Sequence, residues 1–146
     1  LKARVEGERL PRGVEPSRHV KLGPGGLLDV QWVAQLYQLR HAAAFPELRV
    51  TGTVEALEAA VECELIDPAD AHVLIESWMQ AMSIRNANVL WTGRLSASSD
   101  VIPSDPSALR GVAGLMGYDR SASTELTQDR ARVARRARAV FERLFY

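Results

Sequence analysis

The run Leu27-Leu-Asp-Val-Gln-Trp-Val-Ala-Gln-Leu-Tyr-Gln-Leu-Arg-His-Ala-Ala-Ala44 decides the fold class. Leu28, Trp32, Leu36 and Leu39 recur at helical spacing with Val30, Val33 and Tyr37 beside them, so apolar side chains cover most of the circumference. A helix that is apolar nearly all round belongs among other helices, and this segment predicts the central member of an all-α, up-and-down helical bundle. The remaining stripe is Gln31, Gln35 and Gln38. Uncharged amides suit a surface that meets another protein part better than one that faces water, which makes Gln31 and Gln35 candidates for a partner or interdomain face.

Outward from that segment the chain alternates helical rhythm with breakers, and no stretch reads as a convincing strand. Lys2 to Leu10 predicts a short charged helix, and Pro11 to Gly26, with three Pro and four Gly, predicts a loop. Downstream, Thr53 is a good N-cap for a helix over Val54–Leu65, where Leu57, Val61 and Leu65 repeat. Asp67 and Pro68 open a long helix whose buried side is marked by Leu74, Trp78, Met82 and Val89 and which runs to about Trp91. A Ser-, Asp- and Pro-rich loop over 93–106 precedes a short helix, Ala108–Met116, stopped by Gly117. Ser123 begins the last helix, with Leu126, Val133, Ala137, Val140, Phe141 and Leu144 at its apolar positions. The expected organisation is a lead-in helix and loop over 1–24 and a helical bundle domain over 25–146. A start at Leu1 instead of Met, with helix-like residues following at once, predicts a cut inside a longer protein.

With 47% hydrophobic residues, 146 residues are enough for one ordinary core. Eighteen basic and eighteen acidic side chains cancel, so composition offers no overall attraction to nucleic acid or an anionic membrane. The charge is unevenly spread: both ends are basic and the centre is acidic. Neither a signal peptide nor an apolar run of about 20 residues is present, so the expected setting is cytoplasmic, without a membrane span. Cys63, the only cysteine, cannot form an internal disulfide and fits a helix as a small hydrophobe.

The segment that could carry chemistry is Lys21-Leu-Gly-Pro-Gly-Gly26, leading directly into the central helix. Gly23, Gly25 and Gly26 permit unusual backbone angles, the N–H groups at a helix start form an anion site, and Lys21 adds charge beside them. The alternative is a tight turn with Gly26 as N-cap and Asp29 complementing the helix dipole. Asp29 could instead serve a metal or act as a general base, but one carboxylate makes no metal centre. His19, His41 and His72 share no ligand spacing, and Ser98 and Ser99 lack triad partners; they are expected in loops and on the surface. Arg85 falls on the apolar stripe of the long helix, where it must pair with an acid or snorkel, or else contact phosphate or a partner. Asn86 follows it and joins the candidate partner face. The arginines of the last helix, Arg130 among them, are expected mostly on a solvated face. No complete catalytic set is present.

The stretch Arg18-His-Val-Lys-Leu-Gly-Pro-Gly-Gly-Leu-Leu-Asp-Val-Gln-Trp32, with Gln35, resembles the family motif of bacterial glutamine synthetase adenylyltransferases. The segments Arg85-Asn-Ala-Asn-Val-Leu90, Gly111–Tyr118 and Arg135–Tyr146 resemble the C-terminal end of actinobacterial-type members. The resemblance implies a large enzyme with two nucleotidyltransferase domains, each followed by a helical domain. One half removes AMP from glutamine synthetase and the other transfers AMP from ATP to one of its tyrosines. This chain resembles the helical domain of the transferring half. The implied partners are the upstream nucleotidyltransferase domain, glutamine synthetase and a PII signal protein. Mg²⁺ and ATP are implied for the complete enzyme, held by paired aspartates of the upstream domain. Gln31 stands where the family motif usually has Glu, whereas Asp29 keeps the preceding acidic position.

Overall fold

The structure is a computed structural model that describes residues 2–146; Leu1, where a cut inside a longer protein was inferred, lies outside the described residues. It is all-α: α1 (Lys2–Arg9), α2 (Leu27–His41), α3 (Thr53–Glu62), α4 (Pro68–Thr92), α5 (Pro106–Leu115) and α6 (Ser123–Phe145), with short 3-10 turns in the connections. The nearest approach to a strand among the described residues is an isolated antiparallel bridge between His19 and Val101.

Local chemistry sets most boundaries. Asp67 accepts from the Ala69 N–H at 2.8 Å with Pro68 next to it, which starts α4, and Gly93 in the left-handed region ends it. Asp105 caps α5 in the same way through the Ala108 N–H. Thr53, expected as an N-cap, is instead the first residue of α3, and the cap is Gly52 without a side-chain bond. α2 ends at His41, three residues short of expectation, where the chain turns toward the Pro46–Leu48 turn.

α4 and α6 form the longest pairing, with α2 packed against both and against α3, and α5 against α4 and α6. The core falls into two apolar clusters. One gathers Val30, Val33, Leu48, Leu57, Leu74 and Phe141; the other gathers Val20, Leu27, Ile84, Ile102, Val112 and Leu126. Each fully buried side chain of this size contributes roughly 1.5–3 kcal/mol through removal from water. Trp78 packs against both clusters. Tyr118 fastens the end of α5 to α6 by donating to Asp129 Oδ2 at 2.7 Å, and burial with that acceptor pushes its phenol up to about 12.

Two helix faces differ from expectation. The buried side of α2 is Leu27, Val30, Val33 and Ala34, while Leu28, Trp32 and Leu36 are half-buried and Leu39 is 87% exposed. Apolar residues cover the circumference, but neighbouring helices cover only part of it. Gln38 is spent holding the turn after α2, donating to the carbonyls of Leu48 and Val50. On α4 the buried line runs through Ala71, Leu74, Ser77, Ala81, Ile84, Ala87 and Asn88, with Trp78, Met82 and Val89 displaced to the rim. Small residues win the central line because they let the α6 and α2 backbones come close, a packing requirement that a hydrophobicity pattern does not encode.

Candidate functional site

The glycine turn is a buried piece of backbone. A 3-10 turn at Pro16–Arg18 leads into it, and Val20 N–H donates to Asp100 O at 2.8 Å while Ile102 N–H donates to Arg18 O at 2.9 Å. Gly25 adopts φ 71°, a left-handed conformation suited to glycine, and a Cβ there would overlap the Ala134 backbone on α6. Added methyls at Gly23 and Gly26 would overlap the carbonyls of Pro16 and His19, and of Val20. Gly26 is the N-cap of α2, as the tight-turn reading expects.

The N–H groups of residues 25–28, on which an anion site at the helix start would draw, have acceptors within the chain. Gly25 N–H donates to Asp29 Oδ2 at 2.8 Å, Gly26 N–H to Gly23 O, Leu27 N–H to Val20 O and Leu28 N–H to Lys21 O. These four donors are spent inside the chain, so the backbone presents no N–H cradle over 25–28. What the turn presents outward is Lys21, which is exposed and makes no ion pair among the described residues.

Behind the turn lies a polar layer between the two apolar clusters. Arg130 is 1% exposed, and its guanidinium donates to Gly25 O at 3.0 Å, to Ser77 O and Ser77 Oγ at 3.1 Å each, and to Gln80 Oε1 at 3.3 Å. Ser77 Oγ also donates to Gly25 O at 2.7 Å. No carboxylate pairs with Arg130 among the described residues; neutral acceptors surround it, and burial lowers its pKa to about 10. Arg130 therefore stays charged at neutral pH while tying α6 to α4 and to the turn. It was expected on the solvated face of α6. A run of seven arginines hides the one that is buried, and the signal that could expose it is register: 126, 130, 133 and 137 form one helix stripe.

Asp29 is 2% exposed, and its carboxylate receives the Gly25 N–H and Arg138 Nη1 at 3.1 Å. This commits it to bracing the turn against α6. Among the described residues no group of three or more His, Cys, Asp or Glu could hold a metal ion, so the side chains present do not fit a Mg²⁺ site.

On the far side of the turn, Arg85 Nε lies 3.1 Å from Asp100 Oδ1, and the Arg85 side chain is only partly exposed. This is an ion pair by distance without hydrogen-bond geometry, since Asp100 Oδ1 finds no hydrogen-bond donor. Asn88, 3% exposed, donates to the carbonyls of Ser99 and Val101, leaving its own Oδ1 without a donor. Ser99 and His19 are buried here, contrary to their expected place on the surface. His19 Nδ1 accepts the Leu22 N–H at 3.1 Å, and burial lowers the imidazole pKa, with Asp100 opposing and Lys21 assisting. Tertiary structure thus brings Lys21 and Arg85 to one region through Asp100. Gln35 is exposed and Gln31 half-buried on α2, whereas Asn86 is exposed on α4.

A family model described as GlnD PII-uridylyltransferase matches residues 2–145. The chain belongs to this family. Within it, the chain is 47% identical over 146 residues to the bifunctional glutamine synthetase adenylyltransferase/adenylyl-removing enzyme of Cutibacterium acnes, all of this chain and 14% of that relative. It is 46% identical over 146 residues to the Streptomyces coelicolor protein of the same name and 42% identical over 145 residues to that of Mycobacterium leprae, with the same 14% of each relative covered. The chain spans about 14% of the length of the curated relatives it matches. The resemblance of the Arg18–Trp32 stretch is thereby matched over the full chain. No helix among the described residues is long and apolar enough to cross a membrane.

Proposed function

We propose that this chain is the helical domain that completes the adenylyl-transferring half of a cytoplasmic enzyme, one that moves AMP from ATP to a tyrosine of glutamine synthetase and so regulates nitrogen assimilation. The observation that carries the reading is Lys21: an exposed cation, without an ion pair among the described residues, on a turn whose backbone is fixed at Gly25 by Ser77 and Arg130 and at Val20 by Asp100. A preorganised cation of this kind stabilises charge that develops on a transferring phosphoryl group, without reorganisation during the reaction. The names of the relatives support the reaction class. On this reading the carboxylates that hold Mg²⁺ belong to the upstream nucleotidyltransferase domain, in keeping with there being no group of three or more His, Cys, Asp or Glu that could hold a metal ion among the described residues. The isolated chain should then yield no AMP-tyrosine when incubated with ATP, Mg²⁺ and glutamine synthetase.

A second reading, a regulatory module that docks glutamine synthetase or a PII signal protein, draws support from the outer face of α2, where Gln35 and Leu39 are exposed, and from the family description. One substitution separates the two. In the complete enzyme, Lys21→Ala should slow adenylylation by roughly 10²-fold, the range for loss of one charge-stabilising donor, and leave removal of AMP nearly untouched. Unchanged turnover combined with a much higher requirement for glutamine synthetase would give the turn to docking instead.

A further inference from the structure

Away from the glycine turn, the seam between α4 and α5 exposes several large apolar side chains. Met79, Ser83, Asn86 and Leu90 follow one another on a single face of α4, and Met79 and Leu90 are both exposed. Leu90 lies with Leu115 and Met116 of α5 around a cleft of about 360 Å³ that Ser83 and Asn86 complete. Next to it, exposed Trp91 lies against Gly111, where a Cβ would overlap the indole ring, and shares a smaller cleft with Ser107, Arg110 and Arg120. Leu95, just past the helix, is exposed as well. Among the described residues, the other exposed large hydrophobics, Leu39, Val50 and Tyr146, belong to other elements.

The charged side chains that line these clefts have one sign. Arg94, Arg110 and Arg120 are exposed and make no ion pair among the described residues, and no carboxylate lines either cleft. The nearest acids in sequence are occupied as caps: Asp105 by the Ala108 N–H, and Asp119 by the Ser121 N–H and hydroxyl. On α6, by contrast, Arg132, Arg136, Arg138 and Arg143 all pair with acids of this chain. Trp, Arg and Met around an apolar centre form the composition enriched in protein interfaces, and the buried anchors among them dominate binding.

We infer that the α4–α5 seam docks an acidic, amphipathic polypeptide segment whose apolar side chains enter the Leu90–Leu115 cleft and whose carboxylates meet Arg110 and Arg120. Charge complementarity selects this occupant. A symmetric second copy would use the same surface on both subunits, placing two basic clefts in one interface with no carboxylate lining either, and a purely anionic ligand would leave Leu90, Leu115 and Met79 uncovered.

The test uses this chain with two synthetic helical peptides, one of Glu, Leu and Ala and the other with Lys in place of every Glu, followed by NMR of the Trp91 indole N–H. The acidic peptide should shift that resonance saturably and the basic one should not. Arg110→Ala combined with Arg120→Ala should weaken binding by roughly tenfold or more, as expected for loss of close charge pairs. Leu90→Ser should also weaken it, and neither variant should melt differently, because all three side chains are exposed. Equal binding of both peptides, no binding, or indifference to the arginine substitutions would overturn the inference. So would sedimentation showing self-association that Leu90→Ser abolishes, or a short oligonucleotide that binds the same arginines more tightly than the acidic peptide.

Discussion

At Gly25 one carbonyl oxygen receives both Ser77 Oγ and Arg130 Nη2, and the neighbouring N–H goes to Asp29. On the other side of the same segment, Asp100 and Asn88 each keep a buried oxygen without a hydrogen-bond donor. Both networks grip residues 18–26 and both bury a charge, but the Asp100 carboxylate has Arg85 beside it, whereas every hydrogen bond of the Arg130 guanidinium among the described residues ends on a neutral oxygen. The difference teaches where burial of a charge is tolerated: a guanidinium can leave water when carbonyl and hydroxyl dipoles take its donors, even with no carboxylate opposite. Acceptors are treated more leniently than a charge, so the second network holds with two oxygens unmatched.

If this comparison is right, damage to the first network should cost most. Gly25→Val forces a branched side chain into left-handed backbone against Ala134 and should lower stability by more than about 3 kcal/mol, seen as a fall of about 10 °C in Tm for a domain of this size. An unchanged Tm would mean that the turn is not held as described. Arg130→Ala should cost about 3 kcal/mol by removing four hydrogen bonds from a buried layer, while Arg130→Met should cost less because it refills the space without a charge. Denaturant midpoints of the two variants, compared with the parent, test this order.

Asn88→Ala provides the counterpart on the weaker side. It strips donors from the carbonyls of Ser99 and Val101 but also removes an oxygen that had no donor, so the net loss should be about 1 kcal/mol. A loss equal to that of Arg130→Ala would erase the distinction between the two networks.

The smallest effect is pH dependence from His19. Burial lowers its pKa in the folded chain below the ordinary 6.5, so on acidification the unfolded chain takes up the proton first. Stability should be complete above the unfolded value and decline as pH falls through it. In His19→Asn, thermal melts across that range should lose this component of the slope. A slope that persists unchanged would assign it to other groups.

Several features were legible because they depend on near neighbours in sequence. Asp67-Pro68 starts a helix wherever the chain places it, Gly93 and Gly117 end helices, and the period of apolar residues makes the class all-α, whereas α5 begins at Pro106, two residues before the expected Ala108. The family motif of residues 18–32 was equally visible. Which face of each helix turns inward was not, because that depends on how closely partner backbones approach. Small Ala71, Ser77 and Ala81 therefore hold the centre of α4 while Trp78 sits at its rim. The sequence by itself determined that the chain is helical, the cap at Asp67 and the position of Lys21 on a glycine turn. Only tertiary structure decided that the free N–H groups of that turn are spent, that Arg85 is bound by Asp100, and that Arg130, one arginine among seven near the C-terminal end, is the buried one. The burial of Arg130 rests on contacts between residues 50 to 105 positions apart, where burial and complementary dipoles, and no local pattern, set the free energy.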